Sequence, residues 1–267
     1  MLIWLKHRTV LVNGAADTRF DRPLIVGDVV RHSARGHAPP GTRVGSHMKI
    51  RHEDDAVIVL DKPSGLLSIA SEGERERSAY FQLTEHVRGG NPRSRAHIWI
   101  VHRLDRDTSG LMVFAKTAEA QDTLQAGWET VEKKYYAIVE GCPPAARGTF
   151  QSHLDERDPL RVRSAPRGPH TREATTHYRL MKSVGDHSLL ELTLVTGRRH
   201  QIRVHLGDAG CPVVGDKRYG AKTDPVRRVA LHSWMLRFHH PVTSEVMAFE
   251  CSLPWELHNA LQGPLRA

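Results

Sequence analysis

The segment HIWIVHRLDRDTSGLMVFAKT, residues 97–117, sets a charged loop between two apolar runs. The runs HIWIV and LMVFAKT predict two strands of a buried sheet. The nine residues between them, HRLDRDTSG, hold two arginines, two aspartates, a histidine and two hydroxyl groups. Connecting loops are commonly polar without so specific a set of groups, so this loop indicates binding or chemistry beside a rigid strand.

Strand patterns dominate the chain from residue 49 onwards. Strands are predicted in AVIVLDKPSG, KKYYAIVEG, RGTFQSHL, EATTHYRLMK, SLLELTLVTG, RVALHSWMLRFHH and EVMAFECSL, and helices in AYFQLTEHVRGG, AEAQDTLQAGWETV and RRHQIRVHLGDAG, the last ending at Gly210. Because most strands follow one another without a crossover helix, antiparallel pairing is expected. The predicted class is α+β, and the sequence has no glycine-rich fingerprint for a dinucleotide or a nucleoside triphosphate.

Composition divides the chain into three parts. Residues 1–33 predict the end of a helix, a short strand at 10–12, the turn Asn13-Gly14 and a second short strand in PLIVGDVV with a turn at Gly27-Asp28. Residues 34–48 are rich in Gly, Pro, Arg and His and predict a linker. Residues 49–267 are predicted to form the main domain, which contains the charged loop. The first part resembles the back half of an S4 RNA-binding domain, truncated before its opening helix, and a small β-cap on the main domain is the alternative.

The charge balance is basic, with 38 lysines and arginines against 30 aspartates and glutamates. This excess suggests a polyanionic partner, of which nucleic acid is the commonest. The three cysteines are far apart without CxxC spacing, which argues against a disulfide framework or a zinc module and fits a reducing cytoplasm. No apolar run has the roughly 18 residues of a membrane span, and the N-terminus lacks the order of a signal peptide. We therefore predict a cytoplasmic protein that does not bind a membrane.

Three kinds of chemistry fit the charged loop. His102, Asp105 and Asp107 could ligate a divalent ion, but none of the strong metal-binding spacings is present. Asp105 and Asp107 could also form a glycosidase-like pair, although the neighbouring arginines favour ionised carboxylates over proton donors. The third is a single ionised Asp105 that acts as nucleophile or base, held by the cation Arg203. Asp107 and the two hydroxyls after it also fit a simple turn whose side chains cap backbone amides.

Five segments in order resemble the motifs of the RluA family of RNA pseudouridine synthases, over about residues 50–255. They are VLDKPSGLLS, HRLDRDTSGLMVFAKT, KKYYAIVEG, VTGRRHQIRVHLGDAGCPVVGDKRYG and ALHSWMLRFHHP. Five ordered matches are far more specific than any single short motif. The resemblance implies the pseudouridine synthase fold, a mixed and mostly antiparallel sheet with helices and loops flanking a central cleft. It also implies isomerisation of uridine to pseudouridine in RNA, without a cofactor or a metal.

The resemblance assigns site residues by their positions in these motifs. Asp105 takes the position of the catalytic aspartate and Arg203 that of the arginine paired with it, which predicts a contact within about 4 Å. Tyr135 takes the position of the motif tyrosine, with Tyr136 as the adjacent alternative, and Arg103 that of an arginine that fills the gap left by a flipped uridine. Further RNA contacts are predicted at His102, Arg106, Arg198 and His200, and structural roles at Lys62, Pro63 and Ile202.

The identity of the RNA is a finer expectation. Ribosomal RNA is favoured, because family members with an S4-like module tend to act on it, and transfer RNA is the alternative. A catalytically silent RNA-binding or ribosome-assembly protein and a metal-dependent nuclease are the alternatives from other classes. No obligate protein partner is indicated, so a monomer is expected. A uridine in folded RNA must be unstacked, at a cost on the order of a few kcal/mol, and the basic composition and Arg103 fit this requirement.

Overall fold

A small three-stranded sheet forms the N-terminal part of the protein. The computed structural model describes residues 9–13, 15–32, 41–45, 48–70, 72–89, 91 and 93–261. The small sheet contains β1 (Val10–Val12), β2 (Ala15–Ala16) and β3 (Val30–His32), paired antiparallel in the order β2-β1-β3. Asn13 follows β1 with a φ of 54°, and its side-chain amide donates to Asp28 Oδ1 at 2.7 Å. This contact ties the two turns of the small sheet together.

The N-terminal predictions are met in part. β1 coincides with the strand predicted at 10–12, and the helix predicted before it lies outside the described residues. The prediction of a strand in PLIVGDVV is wrong for most of its length, because β3 begins only at Val30. The predicted turn at Gly27-Asp28 is present: Gly27 has a φ of 104°, and the carboxylate of Asp28 accepts the Ile25 amide at 3.1 Å. The apolar side chains of this stretch are exposed rather than paired into a sheet.

In the described part of the chain, twelve strands form one large sheet. They are β4 (Arg43–Val44), β5 (Met48–Glu53), β6 (Val57–Lys62), β7 (Trp99–Ile100), β8 (Ser109–Ala115), β9 (Glu132–Glu140), β10 (Arg147–Asp155), β11 (Arg163–Ala165), β12 (Thr171–Val184), β13 (His187–Leu194), β14 (Leu231–His239) and β15 (Val246–Glu250). The path is β11-β10-β12-β13-β9-β14-β8-β6-β5-β4, with β15 on β14 and β7 on β8. Within the described residues β8 with β14 is the only parallel pair, so the predicted α+β class with a mostly antiparallel mixed sheet is confirmed.

The large sheet begins inside the stretch that was expected to be a linker. Arg43 pairs with Lys49 and Val44 with Met48, so β4 and β5 form a hairpin that starts before residue 49. Residues 33–40 and 46–47 of that stretch lie outside the described part of the chain. The division into module, linker and main domain otherwise stays a prediction.

The described residues contain four α-helices that flank the large sheet. They are α1 (Ala79–Arg88), α2 (Ala118–Ala126), α3 (Gln201–Asp208) and α4 (Trp255–Ala260). Hydroxyl caps start the first two: Ser78 Oγ accepts the Phe81 amide at 3.2 Å, and Thr117 Oγ1 accepts the Ala120 amide at 3.1 Å. Gly210, with a φ of 74°, follows directly after the C-cap residue of α3, close to the predicted end. None of the described helices is long and apolar enough to cross a bilayer.

The central strands β6 and β8 are buried on both faces. In β6, Ile58 and Leu60 pack into one core with α1, α3 and α4, whereas Val57 and Val59 pack into a second core with α2. β8 alternates in the same way, and every one of its residues is buried. Burial on both faces makes these strands rigid, so the charged loop that leads into β8 starts from a fixed support.

The two halves of the large sheet meet at a short parallel seam between β8 and β14. The recorded pairs are Ser109 with His232 and Gly110 with Ser233. Gly110 has a φ of 114°, and a Cβ there would lie 2.1 Å from the Ser233 carbonyl oxygen, so the close approach requires glycine. Ser109 Oγ lies 2.8 Å from Nδ1 of His232, whose pKa burial lowers to about 4. The seam therefore begins immediately after the charged loop.

Candidate active site

A cleft of about 680 Å³ lies between the two halves of the large sheet. Its walls come from the charged loop before β8, from β9 and from the segment that joins β13 to α3. Asp105, Tyr135, Arg198, His200 and Arg203 all line the cleft. The structure thus brings together side chains predicted from three separate stretches of sequence.

Lys62 supports the charged loop from the interior of the protein, where its side chain is fully buried. Its Nζ donates to the backbone carbonyl oxygens of Pro63 at 3.0 Å, Leu66 at 2.7 Å and Arg106 at 3.1 Å. An ammonium group has three donors, so these three acceptors use all of them. Burial lowers the pKa of Lys62 to about 7. The lysine joins the turn of its own motif, which includes Pro63, to the loop that carries Asp105.

Two serines of the same turn fix the backbone on either side of Asp105. Ser64 Oγ donates to the carbonyl oxygen of Asp107 at 2.7 Å. Ser68 Oγ donates to the carbonyl oxygen of Leu104 at 2.6 Å and accepts the Leu104 amide at 3.0 Å. Asp105 therefore stands on a loop whose conformation is set by buried hydrogen bonds rather than by solvent.

We expect Lys62→Met to lower the free energy of unfolding by about 2–4 kcal/mol, because three backbone carbonyl groups, one of them buried, lose their donor. Methionine keeps most of the length of the side chain, so the loss of packing is small. Urea denaturation measures the effect. Lys182→Met, at an exposed position of β12, is the matched control and should change stability by less than about 0.5 kcal/mol. Equal stability of the two variants would show that Lys62 does not hold the loop.

Asp105 meets the guanidinium group of Arg203 in the cleft. Arg203 Nη1 lies 3.2 Å from Oδ2 of Asp105, which is inside the predicted distance. The arginine has a stronger partner, since its Nε and Nη2 contact the two carboxylate oxygens of Asp216 at 2.6 and 2.9 Å. Burial opposes the charge of Arg203, but the two carboxylates outweigh it and raise the pKa of the guanidinium. Arg203 is therefore a permanent, fixed cation beside Asp105.

Asp216 is a site residue that the sequence analysis did not identify. It is almost fully buried and follows α3 in the segment GDKRYG. That segment belongs to one of the five motifs. The sequence analysis therefore included Asp216 in a motif but gave it no role. Tyr219 of the same segment contacts the site as well: its hydroxyl lies 2.8 Å from Nδ1 of His200. The Nε2 of His200 in turn lies 3.9 Å from Oδ2 of Asp105.

The strand β9 separates the two candidate tyrosines onto opposite faces. Tyr135 is buried and lines the cleft, and burial raises the pKa of its phenol to about 12. Tyr136 points to the other face, where its ring stacks on Trp234 with centroids 4.8 Å apart. Because successive side chains of a strand alternate, only one of the two can face the cleft. The cleft side belongs to Tyr135.

Two of the predicted RNA contacts have other partners in this structure. Nε2 of His102 accepts the Val113 amide at 3.1 Å, its ring packs 4.5 Å from Trp128, and burial lowers the pKa of the ring to about 3. His102 thus supports the start of the charged loop as a neutral acceptor, which disfavours a phosphate contact. Arg106 is exposed and forms an ion pair with Glu74 at 2.7 Å.

The other predicted residues divide between the cleft and the core. Arg103 is exposed on the cleft wall, and no recorded ion pair or hydrogen bond joins its side chain to the described residues. Arg198 also lines the cleft, and its Nε donates to the carbonyl oxygen of Glu173 at 3.0 Å. Ile202, on α3, is buried in the core and also borders the cleft.

Cations outnumber carboxylates on the walls of the cleft. Arg172 and Arg199, which the sequence analysis did not select, lie there with Arg103 and Arg198. Glu156 also lines the cleft, and one oxygen of its carboxylate accepts the Arg199 amide at 2.6 Å. A concave surface of this charge attracts a polyanion. No group of three or more His, Cys, Asp or Glu side chains in the described ranges is arranged to hold a metal ion.

Comparison with known proteins identifies the family of the chain. Residues 56–208 match the family described as RNA pseudouridylate synthase. The ribosomal large subunit pseudouridine synthase D of Nitrosomonas europaea is 37% identical over 279 residues, which cover 97% of this chain and 78% of that protein. The protein of the same name from Neisseria meningitidis is 33% identical over 277 residues, covering 98% of this chain and 73% of that protein.

The fold has a solved counterpart. The structure titled human RNA pseudouridylate synthase domain containing 4 superposes with a TM-score of 0.66 at 24% identity, covering 80% of this chain and 92% of that one. At this identity the likeness concerns the fold, and it agrees with the mixed sheet and central cleft described above. Together with the family match over 56–208 and the two relatives above 30% identity along nearly the whole chain, it leads to one assignment: the protein belongs to the RNA pseudouridylate synthase family and is an isomerase that acts on RNA.

Proposed function

We propose that this enzyme converts uridine to pseudouridine in ribosomal RNA, with Asp105 as its catalytic group. The observation that carries the proposal is the contact of 3.2 Å between Asp105 and Arg203 in a cleft lined by cations. A carboxylate that contacts a fixed cation is held in one orientation toward the cleft. Ribosomal RNA is proposed as the substrate because the two relatives above are named for the large ribosomal subunit.

The reaction breaks the bond between N1 of uracil and C1′ of ribose and forms a bond from C5 to C1′. Asp105 acts in it either as a nucleophile or as the base that takes the 2′ proton. Arg203 holds the carboxylate in place, and Asp216 holds Arg203 by two parallel hydrogen bonds. Atoms of the substrate are only rearranged, so the chemistry needs neither a redox step nor a group donor.

Tyr135 is proposed to stack on the uracil ring inside the cleft. Its phenol has a pKa of about 12 because it is buried, so the hydroxyl stays protonated at neutral pH. A neutral aromatic ring on the cleft side of β9 offers a flat apolar face to a flipped base. In this arrangement the hydroxyl lies where the proton leaves C5.

Three further proposals concern the N-terminal module, the oligomeric state and the cellular location. We propose that the S4-like module contributes RNA affinity, since β3 exposes Arg31 and His32. We also propose that the enzyme works as a monomer in the cytoplasm. The excess of basic residues supports the affinity for RNA. The three cysteines without CxxC spacing support a reducing cytoplasm.

A tritium-release assay tests the proposed function directly. Purified enzyme is incubated with 5-tritiated ribosomal RNA or with 5-tritiated transfer RNA, and release of tritium to water reports the loss of hydrogen from C5. Release from ribosomal RNA, together with loss of one pseudouridine from cells that lack the gene, supports the proposal. Release from transfer RNA alone changes the substrate. Binding without release from either RNA points to a silent RNA-binding protein.

We expect Arg103→Ala to lose about tenfold more activity on a structured stem-loop than on a flexible single strand. If Arg103 fills the space of the flipped uridine, its removal matters most where the base must leave a stack. Single-turnover rates on both RNAs measure the difference. Arg106→Ala removes a cation from the same loop and serves as the control, with similar losses on both RNAs. Similar losses for Arg103→Ala, with a salt slope of binding about one unit shallower, would leave it as a phosphate contact.

A further inference from the structure

His200 is held in an unusual backbone conformation at the edge of the cleft. It precedes α3 with a φ of 55°, in the left-handed region that residues other than glycine adopt rarely. Such a conformation persists only where the surrounding structure enforces it, and it often marks a functional position. Its side chain lines the cleft and is largely buried, so the ring is held in the cleft wall rather than exposed to solvent.

The hydroxyl of Tyr219 fixes which nitrogen of His200 carries the proton. Its oxygen accepts the Val162 amide at 3.1 Å, so the phenolic proton is available for Nδ1 of His200 at 2.8 Å. Burial and the nearby Arg203, Arg199 and Arg218 lower the pKa of His200, against the opposing effect of Asp105. A neutral ring whose Nδ1 accepts this hydroxyl proton carries its own single proton on Nε2.

Nε2 of His200 faces the same oxygen of Asp105 that Arg203 contacts. The distance from Nε2 to Oδ2 is 3.9 Å, and that from Arg203 Nη1 to Oδ2 is 3.2 Å. A gap of this size closes with a small movement, and catalytic hydrogen bonds are commonly long before substrate binds. Both donors are backed by the segment GDKRYG: Asp216 holds Arg203, and Tyr219 holds His200.

We propose that His200 is a positioning residue that donates its Nε2 proton to Oδ2 of Asp105 when uridine is bound. Two donors then hold Oδ2, and Oδ1 is the oxygen that acts on the uridine. The role rests on the proposed function of Asp105. It gives His200 a different task from the contact with RNA that its motif position suggested, and it gives Tyr219 the task of setting the tautomer.

The tautomer is measured without reference to activity. Long-range ¹H–¹⁵N correlation spectra of ¹⁵N-histidine-labelled enzyme distinguish a ring protonated at Nε2 from one protonated at Nδ1 or at both. The signal of His200 is identified by its absence from His200→Gln. We expect the Nε2-protonated form in the wild type and a mixture of tautomers in Tyr219→Phe. A wild-type ring protonated at Nδ1, or doubly protonated at pH 7, overturns the proposal.

Kinetics test whether the Nε2 proton serves Asp105. His200→Ala should lower kcat about 10–100-fold with KM changed less than about threefold, and His200→Gln should recover most of it, because its amide N–H reaches the place of Nε2. Both variants keep a Cβ at the strained position, so they are matched in backbone. Tyr219→Phe should lower kcat about tenfold. A larger effect on KM than on kcat, or no recovery with glutamine, would instead make His200 a contact for RNA.

Tyr80→Phe is the control for Tyr219→Phe. Tyr80 also hydrogen-bonds a histidine, His97, at 3.3 Å, but the pair does not line the cleft. This variant should leave kcat within about twofold of the wild type.

Failure of the proposed function can be distinguished from failure of the proposed role of His200. A wild type that is inactive on every RNA refutes the proposed function. An active wild type with the wrong tautomer refutes only the role of His200.

Discussion

Asp105→Asn should abolish pseudouridine formation while leaving the fold and the affinity for RNA nearly intact. An amide is neither a nucleophile nor a base here, so we expect single-turnover tritium release to fall by at least about 10³-fold. Stability should change little, because Arg203 keeps its two hydrogen bonds to Asp216 when the charge of Asp105 is lost. Loss of turnover at unchanged stability would therefore separate a chemical role of Asp105 from a structural one.

Affinity for RNA is the internal control for Asp105→Asn. The variant removes a negative charge from a cationic cleft, so the RNA should bind as well as before or slightly better. Filter binding at fixed salt measures this beside the tritium assay. Turnover above a tenth of the wild-type rate, with normal binding, would reject Asp105 as the catalytic group.

Arg203→Lys should damage both stability and catalysis. A lysine cannot form the two parallel hydrogen bonds to Asp216, and that carboxylate is 1% exposed, so we expect a loss of about 2–4 kcal/mol in the free energy of unfolding. The ammonium group also cannot reach Asp105 and Asp216 together. The rate should fall about 100-fold through this lost contact.

Arg172→Lys is the matched control for Arg203→Lys. It makes the same exchange in the same cleft, at an exposed position. Its stability should stay within about 0.5 kcal/mol of the wild type. Chemical denaturation of the two variants side by side decides the matter. Equal midpoints would mean that the paired hydrogen bonds of Arg203 contribute nothing to the fold.

Sequence alone predicted the parts of the site that lie within single motifs. The pairing of Asp105 with Arg203 followed from motif position, and the structure puts their atoms 3.2 Å apart. The choice of Tyr135 over Tyr136 is decided by the alternation of β9, in which Tyr135 is buried and Tyr136 half-buried. The alternation of buried and exposed residues along a strand can be predicted from sequence once the buried positions next to it are known.

The parts that sequence missed depend on contacts between distant segments. The residues around Asp216 do not indicate that its carboxylate accepts two hydrogen bonds from Arg203. Those around Lys62 do not indicate that its Nζ donates to a backbone carbonyl oxygen 44 residues later in the chain. The hydrogen bond of His102 was missed for the same reason, since a histidine inside a charged motif does not reveal that a backbone amide of β8 donates to its ring nitrogen. Its contact with RNA stays a prediction. The exposed stretch before β3 shows the opposite kind of error. Its apolar residues suggested a strand, but no neighbouring strand pairs with them, so most of the stretch is not a strand.

The seam at Ser109 and Gly110 makes catalysis sensitive to motions far smaller than unfolding. Asp105 is attached to the β8 side of the seam and Arg203 to the side of β12 and β13, so a local opening between β8 and β14 moves the two charges apart. A separation of about one ångström takes a contact of 3.2 Å beyond hydrogen-bond range. Two residue pairs are a short ladder, and such segments open at lower free energy than the protein as a whole. Heat or mild denaturant should therefore abolish activity while the secondary structure persists. Amide hydrogen exchange at Gly110 and Ser233 should become faster at the same temperature at which activity is lost.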